Sequence, residues 1–243
     1  MEDEDFTLAA LLEFKKEEEQ RQEEFEALKN VAEERFEETK LTEVLEKKGM
    51  ELFQEDWQLS QFWYSDETAN LIADELLDGA DSDTVICIVS APSVYAAIKK
   101  RQPSTLPTKN IYLFEYDTRF KVLDPERFGF YDYNNPLEFL PELQNKVHRL
   151  LIDPPFLQDD CQTKSAITAK ALLNPNKSLK TKTGELQYRL ISCTGERMKD
   201  IIRKNYPDTR PTTFYPEHAN GLSNEFFCYA SYEGKNWKFL PDN

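Results

Sequence analysis

Between residues 84 and 152 the chain alternates short, unbroken apolar runs with polar turns and helix-like stretches. Thr84-Val-Ile-Cys-Ile-Val89, Ile111-Tyr-Leu-Phe114, Phe128-Gly-Phe-Tyr131 and His148-Arg-Leu-Leu-Ile152 are too short for helices. Their apolar, β-branched and aromatic content fits strands covered on both faces. Leu186 to Cys193, Thr212-Thr-Phe-Tyr215 and Phe226 to Tyr232 supply a fifth, sixth and seventh strand, the last of which closes the sheet. The last two are joined by a Pro/Gly/Asn-containing link that suits an antiparallel edge. Ser65 is placed as the N-cap of a helix with Asp66 and Glu67 in its first turn, and Gly79 closes it. Ser90-Ala-Pro-Ser-Val-Tyr95 turns into a second helix to about Arg101, with Pro92 in its first turn. A third covers Asp159 to Leu173, before a polar, Lys-rich loop over 174–185. Strand, helix and strand at this spacing predict an α/β fold with a parallel sheet and right-handed crossovers.

Before residue 50 the period changes. Leu8, Leu11 and Leu12, then Phe25, Leu28 and Ala32, then Leu41, Val44 and Leu45 recur at three- and four-residue spacing, with no Gly or Pro before Gly49. One or two amphipathic helices are expected from about Phe6 to Lys48. This stretch carries 17 acidic and 8 basic side chains, a far more acidic balance than the 28 and 22 of the remainder. It divides the chain into an acidic helical extension, 1–50, and a domain, 51–243. The extension is read either as a solvated helix laid on the domain or as an arm for a basic partner.

The net charge of −15 over 243 residues argues against a protein whose main task is to grip a nucleic-acid backbone. No apolar run reaches the roughly 18 residues of a membrane span, and Met1-Glu-Asp-Glu-Asp-Phe6 lacks the basic start of a signal peptide. The four cysteines, Cys87, Cys161, Cys193 and Cys228, form no C-x-x-C pair. Neither a disulfide framework nor a zinc site is expected, and a reducing compartment, the cytoplasm, is. No glycine lies between Gly79 and Gly129, so a Gly-rich phosphate loop is excluded there.

Candidate chemistry gathers at strand ends. Open α/β sheets bind ligands beyond the carboxyl ends of their strands. Three consecutive strands finish there on acids, Glu115, Asp132 and Asp153, a set suited to a ribose diol and an amino-bearing base. Ahead of the first helix lies the aromatic-dense run Trp57-Gln-Leu-Ser-Gln-Phe-Trp-Tyr-Ser65. At least two of its rings are expected in the core, and the run also suits the wall of a small-cofactor site. The most specific motif is Asp153-Pro154-Pro155-Phe156.

That motif resembles the D/N-P-P-Y/F signature of class I S-adenosylmethionine-dependent methyltransferases that act on amino nitrogens, and it follows the fourth strand as theirs does. Trp57 to Ser65, Ser90-Ala-Pro-Ser-Val-Tyr95, Phe114-Glu-Tyr-Asp117, Phe130-Tyr-Asp-Tyr-Asn-Asn-Pro-Leu137, Cys193-Thr-Gly195 and Asn224-Glu-Phe-Phe-Cys-Tyr229 stand in order around it. Together they resemble the eukaryotic elongation factor 1-alpha lysine methyltransferases, once labelled N6-adenine-specific DNA methyltransferases. The resemblance implies a Rossmann-like, seven-stranded methyltransferase sheet with S-adenosylmethionine as cofactor, no metal, and elongation factor 1-alpha as protein substrate. It implies that Glu115 holds the ribose hydroxyls and Asp132 the adenine amino group. By the same resemblance Ser90, Ala91, Pro92 and Ser93 would form the turn under the methionine part, and Trp63, Tyr64 and Ser65 would contact the cofactor. Asp153 and Pro154 would orient the lysine amine, with Phe156 against its stem. The chain departs from many class I enzymes in having Ser90-Ala-Pro-Ser93 where they carry a glycine-rich loop. His218, in Pro216-Glu-His-Ala-Asn220, is the better placed histidine for substrate contact, and His148 reads as a surface residue. The rival readings are an N6-adenine nucleic-acid methyltransferase, which the charge opposes, and a dead binding module, which would have lost Glu115 or Asp153.

Overall fold

The computed structural model describes residues 15–16, 18–27, 29, 48–221 and 225–241. Seven strands form one sheet: β1 (Ile86–Val89), β2 (Ile111–Glu115), β3 (Phe128–Phe130), β4 (Arg149–Ile152), β5 (Arg189–Gly195), β6 (Arg210–Pro211) and β7 (Phe226–Ala230). Their order is β3-β2-β1-β4-β5-β7-β6. The first five run parallel, and β7 pairs antiparallel with both β5 and β6. This is an α/β fold with one seven-stranded, mostly parallel sheet, as the resemblance implied. Two details differ. The seventh strand does not close the sheet but inserts between β5 and β6. The sixth lies at Arg210–Pro211, ahead of the apolar run Thr212–Tyr215. In that run Thr212 still donates its N–H to Cys228 O of β7 at 2.9 Å, and it makes an isolated bridge to Phe239.

Helices α1 (Asp66–Leu77), α2 (Pro92–Lys99), α3 (Asp159–Leu172) and α4 (Lys199–Asn205) flank the sheet. Successive strand residues point to opposite faces, so each buried strand feeds two cores. Ile86 and Ile88 of β1, with Leu113 and Leu151, meet Ile72 of α1 and Val94 and Ile98 of α2. Cys87 and Val89, with Leu150 and Ile152, meet Ala166 and Leu172 of α3 and Ile202 of α4. All four β1 side chains are buried, as are those of β2, β4 and β5. Unbroken apolar runs therefore read correctly as doubly covered strands. Among the described residues no helix is long and apolar enough to cross a membrane.

Ser65 is the N-cap of α1, its Oγ accepting the Thr68 N–H at 3.2 Å. Beyond Leu77 the chain turns at Gly79, whose φ of +65° favours glycine. His148 is not a simple surface residue: it is half-buried, and its Nδ1 accepts the Val85 N–H at 3.0 Å, tying the starts of β4 and β1. The four cysteines are free and buried, with Cys193 opposite Cys228 across β5 and β7.

Most of the expected N-terminal helix lies outside the described residues. Residues 18–27 are helical. Lys48 pairs with Glu24 at 2.7 Å within the extension, and Phe25 meets Phe53 of the domain edge-on at 5.7 Å. Through Phe25 this part of the extension is laid on the domain.

Candidate active site

Strand order reverses between β1 and β4: from β1 the chain proceeds outward to β2 and β3, then returns to β4 on the other side. The crevice above such a switch point is where open α/β sheets bind ligands. A cleft of about 640 Å³ opens there. It takes in the ends of β1, β2, β3 and β4 and the roof segment 59–64.

Eleven of the twelve expected site residues line this cleft: Trp63, Tyr64, Ser90, Ala91, Pro92, Ser93, Glu115, Asp132, Asp153, Pro154 and Phe156. Ser65 does not. Its hydroxyl is used by Thr68 and its N–H by the Glu217 carbonyl at 2.9 Å, so capping α1 faces it away from the cleft. Trp63 does two jobs. It reaches the lining, but its indole N–H donates to the Phe53 carbonyl at 2.7 Å and its ring packs edge-on against Phe120 in the core.

Glu115 closes β2 with its carboxylate buried. Its Oε1 accepts the backbone N–H groups of Tyr116 at 2.9 Å and Asp117 at 3.2 Å. Burial pushes its pKa up to about 7 against those two bonds. Asp132 forms a local turn, accepting the Asn134 N–H at 2.8 Å on Oδ1. Ser90 holds φ at +59°, the left-handed conformation that glycine ordinarily supplies. Its N–H donates to Phe114 O at 2.9 Å. The tight turn of a glycine loop is therefore kept without the glycine. Ala91 gives α2 no side-chain cap, and Pro92 follows at its first position.

Asp153 leaves β4 with its N–H still bonded to Val89 O at 3.0 Å. Its Oδ2 accepts the Tyr64 hydroxyl at 2.6 Å. Burial raises its pKa to about 7, with Glu115 adding to the rise and the Tyr64 bond opposing it. The fully buried amide of Gln162 holds the rest of the motif, donating to Phe156 O at 3.2 Å and to Thr194 Oγ1 at 3.0 Å. Gly195 packs so close to the Leu157 side chain that a Cβ would stand 2.9 Å from its Cδ1, and that side chain would have to shift. Phe156 meets Tyr133 edge-on at 5.8 Å. His218 lies 4.9 Å from the Tyr64 ring and 4.6 Å from that of Phe226. Burial lowers its pKa to about 4, so it is neutral near pH 7.

Sequence reasoning missed the fastening of the roof. Gln61 donates to Asp117 at 2.9 Å, and Arg119 chelates the same carboxylate and donates to Gln54 O at 3.0 Å. Against the pull of burial, Arg119 and Gln61 hold Asp117 below the usual carboxylate range. Gln61 and Asp117 both stood in quoted motif blocks. Gln162 had no local signal.

The raised acid has a consequence for stability. In the folded protein Asp153 binds its proton more tightly than at the ordinary 3.8, so stability falls as pH climbs from about 4 to about 7. Asp153→Asn keeps an acceptor for Tyr64 and abolishes this loss. The variant is expected to be more stable than the parent at pH 8, with the gap closing by pH 4. Urea titrations at both pH values check this, and parallel pH dependence in the two proteins would contradict it.

Comparison with known proteins adds a family. The sequence family described as "Probable N6-adenine methyltransferase" matches residues 55–234. The chain is 61% identical over 233 residues to the protein-lysine N-methyltransferase EFM5 of Saccharomyces cerevisiae, covering 96% of this chain and 92% of that one. It is 39% identical over 181 residues to EEF1A lysine methyltransferase 1 of Gallus gallus, covering 74% and 76%. With the Homo sapiens protein of the same name it shares 36% over 190 residues, covering 77% and 80%.

Proposed function

Since the chain belongs to this methyltransferase family and is a protein-lysine N-methyltransferase, we propose that it uses S-adenosylmethionine to methylate a lysine of translation elongation factor 1-alpha. The observation that carries the reading is Asp153, held at the mouth of β4 in the same cleft as Glu115. One acid suits an amine and the other a diol. The names of the Gallus gallus and Homo sapiens relatives, EEF1A lysine methyltransferase 1, point to the substrate. A net charge of −15 favours a basic protein over a nucleic acid. Translation factors work in the cytoplasm, and four free, buried cysteines fit that reducing compartment.

The residues present fit the cofactor. Glu115 Oε1 is already engaged by backbone N–H groups, which fixes the carboxylate for ribose hydroxyls. The uncapped first turn of α2 suits a carboxylate. When bound, S-adenosylmethionine supplies a methyl group on a positively charged sulfur, which the neutral lysine nitrogen takes as the carbon–sulfur bond breaks. A free lysine has a pKa of about 10.4 and must first lose a proton. The half-buried rings of Phe156 and Tyr133 and the neutral His218 favour the uncharged amine by desolvation. The Asp153 carboxylate and the Pro154 carbonyl accept the N–H groups of the amine and aim its lone pair. Proline fixes that carbonyl, so little reorganisation is needed.

Glu115→Ala is expected to weaken S-adenosylmethionine binding by at least about 2 kcal/mol, near 30-fold, because it removes two charge-assisted hydrogen bonds. Calorimetric titration measures this, and parental affinity would remove Glu115 from the site. Incubation with labelled S-adenosylmethionine and cell extract tests the reading as a whole. Label is expected in a protein band, and label in nucleic acid would refute it.

A further inference from the structure

Tyr64 carries a role that its place in the cleft lining does not by itself explain. Its hydroxyl donates to Asp153 Oδ2 at 2.6 Å, joining residues 89 positions apart. Everything around the ring fixes its direction. The side chain is buried. The backbone N–H donates to Ser93 Oγ at 3.2 Å, and the residue forms an antiparallel bridge with His218. The His218 ring lies tilted against it at 4.9 Å, backed edge-on by Phe226. Cys193 of β5 lies beside the hydroxyl, with Cys228 of β7 behind it. Burial raises the pKa of Tyr64 well above its usual value, as does neighbouring Asp153, so the hydroxyl remains a donor at any working pH.

We propose that Tyr64 is a positioning residue for methyl transfer: its hydroxyl holds Oδ2 of Asp153, fixing the carboxylate plane and reserving Oδ1 for the target amine. The inference rests on the reading of Asp153 as the group that aims the amine. A carboxylate free to rotate presents either oxygen at varying angles, and orientation is where such a group contributes most. The bond also favours the ionised form, which is the form that accepts from an amine. Among the described residues, the other charged or titratable groups around the pair include Glu115 from β2, Cys193 from β5, Cys228 from β7, His218 from the loop before β7, and Asp132 and exposed Arg197 on the cleft lining. The hydrogen bond on the Asp153 carboxylate comes from the Tyr64 hydroxyl, at 2.6 Å on Oδ2.

The test is Tyr64→Phe, which retains the ring in its stack and removes only the hydroxyl. The Asp153 carboxyl is followed by carbon NMR across pH, its signal assigned by disappearance in Asp153→Asn. The midpoint is expected to rise by about one pH unit. The acid limb of kcat should move upward by the same amount, with kcat at its plateau falling on the order of 10-fold. Affinity for S-adenosylmethionine should stay within about twofold, since the hydroxyl acts on the carboxylate rather than on the cofactor. An unmoved midpoint and acid limb, even with a lower melting temperature, would leave Tyr64 a packing residue and overturn the inference while leaving the active protein's function intact. A parent protein that methylates no lysine would overturn both.

Discussion

Replacing Asp153 with alanine is expected to slow methyl transfer by roughly 10²-fold or more while changing affinity for the methyl donor far less. The asymmetry follows from position. Asp153 ends β4, on the opposite side of β1 from Glu115 of β2 and from β3. Its removal costs the amine one of two acceptors and leaves the Pro154 carbonyl. A misaligned lone pair loses most of the advantage of being bound. The fold should persist, because Pro154, Pro155 and the Gln162 clamp on Phe156 hold the turn without the carboxylate. Single-turnover kinetics and calorimetry on the same purified variant provide the two quantities. Loss of binding together with activity would move Asp153 into the cofactor shell.

The largest stability effect is expected at the other end of the sheet, far from the chemistry. Glu75 of α1 is buried to 1% exposure, yet its Oε1 accepts from the backbone of Asn236 at 2.7 Å and from its side-chain amide at 3.0 Å. Its Oε2 faces Arg189 at 3.8 Å, and the Arg189 guanidinium lies 4.6 Å over the Tyr232 ring. Arg149, wholly buried in β4, donates at 2.7 Å to both Leu76 O and Asp78 O, capping the end of α1. Burial lowers the Arg149 pKa to about 10, leaving it charged near neutrality. Two buried cations thus depend on few anions. Gly234 passes so close over Glu75 that a Cβ there would overlap the carboxylate. Glu75→Ala removes the acceptor of two Asn236 donors and one of the two carboxylates beside Arg189, which keeps Asp78 at 3.5 Å and the residue-75 carbonyl, at a cost of about 2–3 kcal/mol. For a chain of this length that corresponds to a fall in Tm on the order of 10 °C. Glu75→Gln keeps the acceptor for Asn236 and should lose less. Denaturant unfolding ranks the three proteins, and a loss below about 1 kcal/mol for Glu75→Ala would contradict this account.

Much of this was legible in the sequence because it depends on local pattern. Strands buried on both faces must be continuously apolar, so the four central ones could be read. Acids at strand ends, a Pro-Pro turn and an N-cap serine are likewise local signals. The sixth strand escaped because Arg210–Pro211 is two residues long and only half-buried. Thr212–Tyr215 has the right pattern, but past the Thr212 N–H it leaves the ladder. The antiparallel insertion of β7 is a property of topology, which no single segment encodes. His148 looked exposed because its partner, Val85, is 63 positions away. The same holds for Tyr64 and Asp153, each singled out but not as a pair. Ser65 was read correctly as a cap, and that use is what turns its hydroxyl away from the cleft.

The central claim is that the cleft above β1 and β4 passes a methyl group to a lysine amine under the control of Asp153. The direct measurement is intact-protein and peptide mass spectrometry of purified elongation factor 1-alpha after incubation with S-adenosylmethionine and either the parent protein or Asp153→Ala. The account predicts added mass in steps of one methyl group on a single lysine with the parent, and slowed roughly 10²-fold with the variant. Unmodified elongation factor with the parent protein, or full methylation by Asp153→Ala at the parental rate, would contradict it.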